Sequence, residues 1–200
     1  MRLTIDSAIH RSRLLLLLTA VVAALAVACG GEGTTAVNPA GQPAASGTDS
    51  FARIRPARAY EVDEVIAAGF KRSKTYDVAE LTGASAALYG FYGSDPYNRK
   101  EYEIRFYPTH DDAVKVGFPA SKEAWGPDAK LSEDDATWKV GLTERRECQG
   151  NVRGSHHVGK CLNPKYLDMV VYGNMVILCQ GREVADSRQN CEDLLKVLPK

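Results

Sequence analysis

The run Tyr166-Leu167-Asp168-Met169-Val170-Val171-Tyr172-Gly173-Asn174-Met175-Val176-Ile177-Leu178-Cys179 decides the fold. Two apolar, β-branched and aromatic runs flank Gly173-Asn174, a two-residue hairpin signal. A helix is expected from about Asp186, because Cys191, Leu194, Leu195 and Leu198 recur on one helical face. Cys191 then points toward the sheet on which Cys179 is the last strand residue. That placement predicts a Cys179–Cys191 disulfide.

Working outward, the same order of hairpin and helix occurs upstream. Ala86 to Tyr92 is aromatic and apolar, and Gly93 to Asn98 is loaded with turn formers. Glu101 to Tyr107 alternates, with Tyr102, Ile104 and Phe106 facing one way and Glu101, Glu103 and Arg105 the other. Such alternation predicts a half-buried antiparallel strand. Pro108 ends it and Thr109 can cap a helix whose first turn holds Asp111 and Asp112, with Gly117 and Pro119 limiting its length. Before the first hairpin, Val62, Val65, Ile66, Gly69 and Phe70 mark one face of a helix over 61–72. Its acids lie first (Glu61, Asp63, Glu64) and its bases last (Lys71, Arg72, Lys74), as the macrodipole favours. Trp138 to Leu142 is expected to be a short strand, and the glycine-bearing stretch between Cys148 and Cys161 to be irregular. The simplest assembly is an α+β domain over residues 51–200, an antiparallel sheet of four or five strands with helices packed on one face and two disulfides.

The chain has 200 residues, 44% hydrophobic and 25% charged, which is ordinary for a globular protein. Its 25 basic side chains balance 25 acidic ones, so it lacks the broad positive surface on which nucleic-acid binding depends. The balance is uneven along the chain. Arg2, Arg11 and Arg13 against Asp6 give residues 1–28 a charge of +2, which leaves −2 for the rest.

After that positive start, Leu14 to Ala28 holds Thr19 as its only polar residue. The run is short for a bilayer span, which takes about 20 apolar residues, and suits a signal-peptide core. It ends in Leu25-Ala26-Val27-Ala28-Cys29-Gly30. Small residues before a cysteine resemble the lipobox of bacterial lipoproteins, with Ala26 standing where Leu is usual. The resemblance implies cleavage after residue 28, a diacylglycerol on the Cys29 sulfur together with fatty acylation such as palmitate, and attachment to the extracytoplasmic face of the cell membrane, periplasmic or at the cell surface. Gly30 to Ser50 is rich in Gly, Ala, Thr, Ser and Pro and poor in bulky apolar residues, so residues 29–50 read as a lipidated cysteine and a flexible tether.

Outside the cytosol, the remaining four cysteines read as two disulfides, and local pairing gives Cys148–Cys161 beside Cys179–Cys191. A zinc site from Cys148, His156, His157 and Cys161 is the competing reading, but its spacing departs from the common structural sites. No catalytic or nucleotide-binding motif occurs, and no cofactor is expected. Ser155, His156 and Asp168 could be assembled into a triad, but three common residue types without a motif specify nothing. The aromatic hairpin is more informative. Tyr102 and Phe106 belong to the core, while Tyr89, Tyr97 and Tyr107 are candidates for an exposed binding patch, since Tyr brings much contact area for few rotatable bonds. The leading expectation is a non-enzymatic, lipid-anchored domain that binds a protein or small-molecule ligand. A surface hydrolase with His156 or His157 as general base is the alternative, and a structural envelope component the third.

Overall fold

The computed structural model describes residues 50–148 and 163–200, and Ser50–Lys200 forms one unit. Among the described residues there are eight strands: β1 (Ile54–Arg55), β2 (Lys71–Tyr76), β3 (Ala86–Tyr92), β4 (Lys100–Phe106), β5 (Arg146–Glu147), β6 (Asn163–Pro164), β7 (Tyr166–Tyr172) and β8 (Met175–Gln180). Six of them make one sheet in the order β1-β7-β8-β4-β3-β2, and β5 pairs with β6 apart from it. The sheet is antiparallel except at one edge, where β1 runs parallel to β7 with Ile54 opposite Val171. The expectation of four or five antiparallel strands is therefore corrected to six with one parallel pair. The fold remains α+β.

Both hairpins form where the sequence places them. Gly173 adopts a left-handed conformation (φ 55°) in the β7–β8 turn, and an added Cβ there would lie 2.1 Å from the Arg58 carbonyl oxygen. Beside it, the buried Asn174 side chain accepts from the Tyr60 N–H at 2.7 Å. It also donates to the Tyr60 and Tyr107 carbonyls at 3.1 and 2.8 Å. This turn residue thus ties three segments together.

The first helix, α1, spans Val62–Ala67 rather than 61–72. Its Glu61 N–H donates to the Glu64 carboxylate at 2.9 Å. Gly69, at φ 106°, turns the chain out of it. Phe70 then drops into the core, and Lys71, Arg72 and Lys74 belong to the edge strand β2, not to a helix end. Five of the six β2 residues are exposed, so no apolar period announces the strand. Charge on a sheet edge also opposes adventitious pairing.

A second helical stretch, α2, comprises His110–Asp112, a π turn over Ala113–Gly117, and Phe118–Ser121. Thr109 caps it, accepting from the Asp112 N–H at 3.1 Å. It runs past both Gly117 and Pro119. Gly117 is needed because a Cβ there would sit 2.5 Å from the Tyr107 ring. The third helix, α3 (Val184–Leu195), buries Cys191 and Leu194 as expected. Trp138 to Leu142 forms turns, not a strand, with Trp138 buried.

Helices cover both faces of the sheet, which corrects the one-face arrangement. Val65 of α1 and Cys191 and Leu194 of α3 pack with Phe70, Leu88, Tyr102, Ile104, Phe106 and Ile177 on one side. On the other, α2 and its continuation to Ala124 and Trp125 pack with Tyr107, Met169, Val171, Val176 and Leu178. The strands β7 and β8 are consequently buried on both faces, as their near-continuous apolar runs require. Cys179 and Cys191 are bonded, with Cα atoms 5.6 Å apart. The expected Cys148–Cys161 bond ends on Cys161, which lies outside the described residues.

Candidate functional site

The polar stripe of β4 is where sequence and structure differ most. Glu101, Glu103 and Arg105 alternate with the core residues and read as a solvated face. Glu103 and Arg105 are instead fully buried. The Glu103 carboxylate accepts from Arg105 Nε at 2.7 Å, Arg145 Nε at 2.9 Å and Arg145 Nη2 at 3.2 Å. Arg145 also donates to the Trp138 and Val140 carbonyls at 3.1 and 2.9 Å. Both guanidinium groups lie against the Trp138 ring, 4.9 and 4.6 Å from its centre. Burial alone would push the Glu103 carboxyl up, but Arg145 and Arg105 outweigh it and hold it below the usual carboxylate range.

Two further contacts extend this layer. Glu101 accepts from the Tyr89 hydroxyl and pairs with Lys165, and Glu144 pairs with Lys74 while accepting from the Tyr76 hydroxyl at 3.1 Å. Every charge in the layer faces an opposite one, which is the arrangement of a structural network that pins the 126–147 segment to the sheet. Opposite signs at Glu103 and Arg105, two apart on one strand face, are the sequence cue that this face need not be wet. Arg145 had no such cue, since its partner is 42 residues away.

The three candidate tyrosines do not form one patch. Tyr89 is 8% exposed and its hydroxyl is held by Glu101; burial, then that carboxylate, raises its pKa. Tyr107 is buried under Gly117. Strand alternation sends both to the side covered by α2 and the 126–147 segment, so the expectation that they are exposed is corrected. Tyr97 alone is open, at 98% exposure, in the β3–β4 loop. That loop is built: Asp95 accepts from the Tyr97 and Asn98 N–H groups at 2.9 and 3.1 Å, and Lys100 Nζ donates to the Asn98 side chain at 2.8 Å. The tyrosine is presented on an ordered turn.

Two recesses flank the loop and share Asn98, Lys100 and Asn190. One, of about 520 Å³, lies toward the start of α3 and includes Arg99 and Arg182. The other, of about 410 Å³, lies toward its end and includes Asp193 and Lys196. Both have the size of small-ligand sites. Their walls are fixed from below, because Asn190 donates to the Gln180 carbonyl at 2.7 Å and Gln180 accepts from the Glu101 N–H at 2.9 Å. The sequence signal for this site was the turn-former cluster and Tyr97; Asn98, Lys100, Arg182 and Asn190 carried none.

Toward the β1 edge of the sheet, Asp168 is fully buried. It accepts from Arg53 at 2.7 and 2.8 Å and from Arg188 at 2.6 Å, fastening β1 to β7 and α3. Among the described residues, no group of three or more His, Cys, Asp or Glu side chains could hold a metal ion. No helix among them is long and apolar enough to cross a membrane. Cys29, His156 and His157 lie outside the described residues.

A family of unknown function, DUF6810, matches residues 61–200 of the chain. No curated protein and no solved structure matches it.

Proposed function

We propose that the chain, which belongs to the DUF6810 family, is a lipid-anchored extracytoplasmic protein whose α+β domain binds a partner or small ligand without catalysis. Anchoring rests on the positive start, the apolar run Leu14 to Ala28, and Cys29 after small residues, followed by a tether that cannot build a core. Binding rests on Tyr97. Tyr97 is a fully exposed aromatic side chain presented on an ordered turn that two preformed recesses flank, and tyrosine is the residue type favoured at binding surfaces.

The anchor is tested by the intact mass of detergent-extracted native protein, with thiols alkylated before and after reduction. A chain beginning at Cys29, heavier by a diacylglycerol and alkylated at the four other cysteines only after reduction, is the expected result. It would also establish the Cys148–Cys161 bond that this reading includes. A chain beginning elsewhere overturns the anchor. The binding role is tested by a photoreactive amino acid at position 97 of the lipidated protein in intact cells. A discrete, saturating adduct is expected. Adducts no greater than those from the same group at exposed Glu133 overturn it.

A further inference from the structure

We propose that the smaller recess, between the β3–β4 loop and the end of α3, binds a neutral saccharide. The inference rests on the binding reading above and names the chemistry of the ligand, since Tyr97 stands between Asp95 and Asn98 on the loop that walls this recess. Its first support is charge. Two lysines, Lys100 and Lys196, and two aspartates, Asp95 and Asp193, are the charged residues that line the recess. They sum to zero, so neither a simple anion nor a simple cation gains there over an uncharged molecule.

Its second support is the hydrogen-bonding capacity that the fold leaves at the wall. Asp95 Oδ1 accepts from the Tyr97 N–H at 2.9 Å, and Asp193 Oδ1 accepts from Gln189 and Lys196 at 2.9 and 2.8 Å. Asn98 Oδ1 accepts from Lys100 at 2.8 Å, and Asn190 Nδ2 donates to the Gln180 carbonyl at 2.7 Å. Each bond holds its side chain in place and leaves part of it unused. Among the described residues, the second oxygen of both aspartates and Asn190 Oδ1 keep acceptor capacity. Asn98 Nδ2 and the remaining N–H groups of Lys100 and Lys196 keep donors. A hydroxyl both donates and accepts, so a polyhydroxylated ring can answer both kinds at once. Because the walls are already held, little ordering is left to oppose binding.

Its third support is the aromatic wall. Tyr92 and Tyr102 line the same recess. Tyr102 is buried, with its hydroxyl donating to the Asn190 carbonyl at 2.9 Å, whereas Tyr92 stays half-buried. The Tyr92 ring is thus left to meet the C–H face of a sugar while the polar groups meet its edge hydroxyls. An apolar wall with a few placed polar groups is how small-ligand sites are built, and about 410 Å³ is of their size. The larger recess on the other side of the loop has no aromatic residue in its lining.

The test uses the native protein, extracted in detergent, exchanged into phosphatidylcholine nanodiscs and applied to arrayed neutral, acidic and amine-bearing oligosaccharides. Retention on neutral glycans above both charged classes is expected. Tyr92→Leu, which keeps an apolar side chain against the core, and Asp193→Asn should each weaken that retention about tenfold, with the melting temperature little changed. Competition by a free mono- or disaccharide marks a soluble sugar as the ligand, and competition only by longer oligosaccharides marks a glycan chain. Preference for a charged class, or retention that both variants leave intact, overturns the proposal. Photo-adducts at position 97 without glycan retention overturn the saccharide and leave the binding role standing. Failure of both experiments overturns both readings.

Discussion

Replacing Glu103 by Gln should lower the free energy of unfolding by about 3–5 kcal/mol at neutral pH, because it leaves two buried guanidinium groups without their counter-charge. Denaturant unfolding followed by Trp fluorescence measures it, since both groups lie against the Trp138 ring, which reports their surroundings directly. The pH dependence gives a second readout. In the fold the Glu103 carboxyl is held below its ordinary value. Its contribution is therefore complete above the unfolded carboxylate pKa, near 4.3, and is lost as pH falls through the lower folded value. The Gln variant has no such contribution to lose. The gap between parent and variant should narrow steadily in acid, and a gap that is the same at pH 7 and pH 3 would show that the charge is not what Glu103 supplies.

Breaking the Cys179–Cys191 bond by replacing both cysteines with Ala should cost about 3 kcal/mol, the chain-entropy value for a loop of this length. Both sulfurs are fully buried where α3 meets β8, so the double Ala variant also loses packing. The loss is read from the denaturant midpoint and slope together, since removing a cross-link lets the unfolded chain expand. A change under about 1 kcal/mol would mean that Ser187 and Asp168 hold α3 in place unaided. Ser187 bonds the Cys179 carbonyl at 2.6 Å and the Asp168 N–H at 2.7 Å.

What could be read from the sequence follows from how far apart the interacting residues lie. The β7–β8 hairpin, the α3 face and the Cys179–Cys191 bond are all local, and turn chemistry with helical periodicity was enough to place them. The strand β2 was hidden because an edge strand buries almost nothing: its charges look the same at the end of a helix. The burial of Glu103 was hidden for the opposite reason. A strand alternating apolar with charged residues reads as one dry face and one wet face, and only Arg105 and the distant Arg145 make the second face dry. The same inversion displaced the candidate site, since Tyr89 and Tyr107 lie on the side that this network and α2 close. Tyr97 escaped because it stands in a turn, where no alternation applies.

The fastening of β1 has a mechanical consequence. Although β1 is only two residues long, Arg53 grips Asp168 through two nitrogens and Arg55 grips Glu192 through two more, with Val171 donating to the Arg53 carbonyl at 2.7 Å. A pull applied through Ser50 acts along the strand, against β7, rather than away from the sheet. Load directed that way is shared among all of these contacts at once, as in shear, instead of opening them one after another like a zipper. The shortest strand of the sheet is thus built to bear tension on the chain that precedes it.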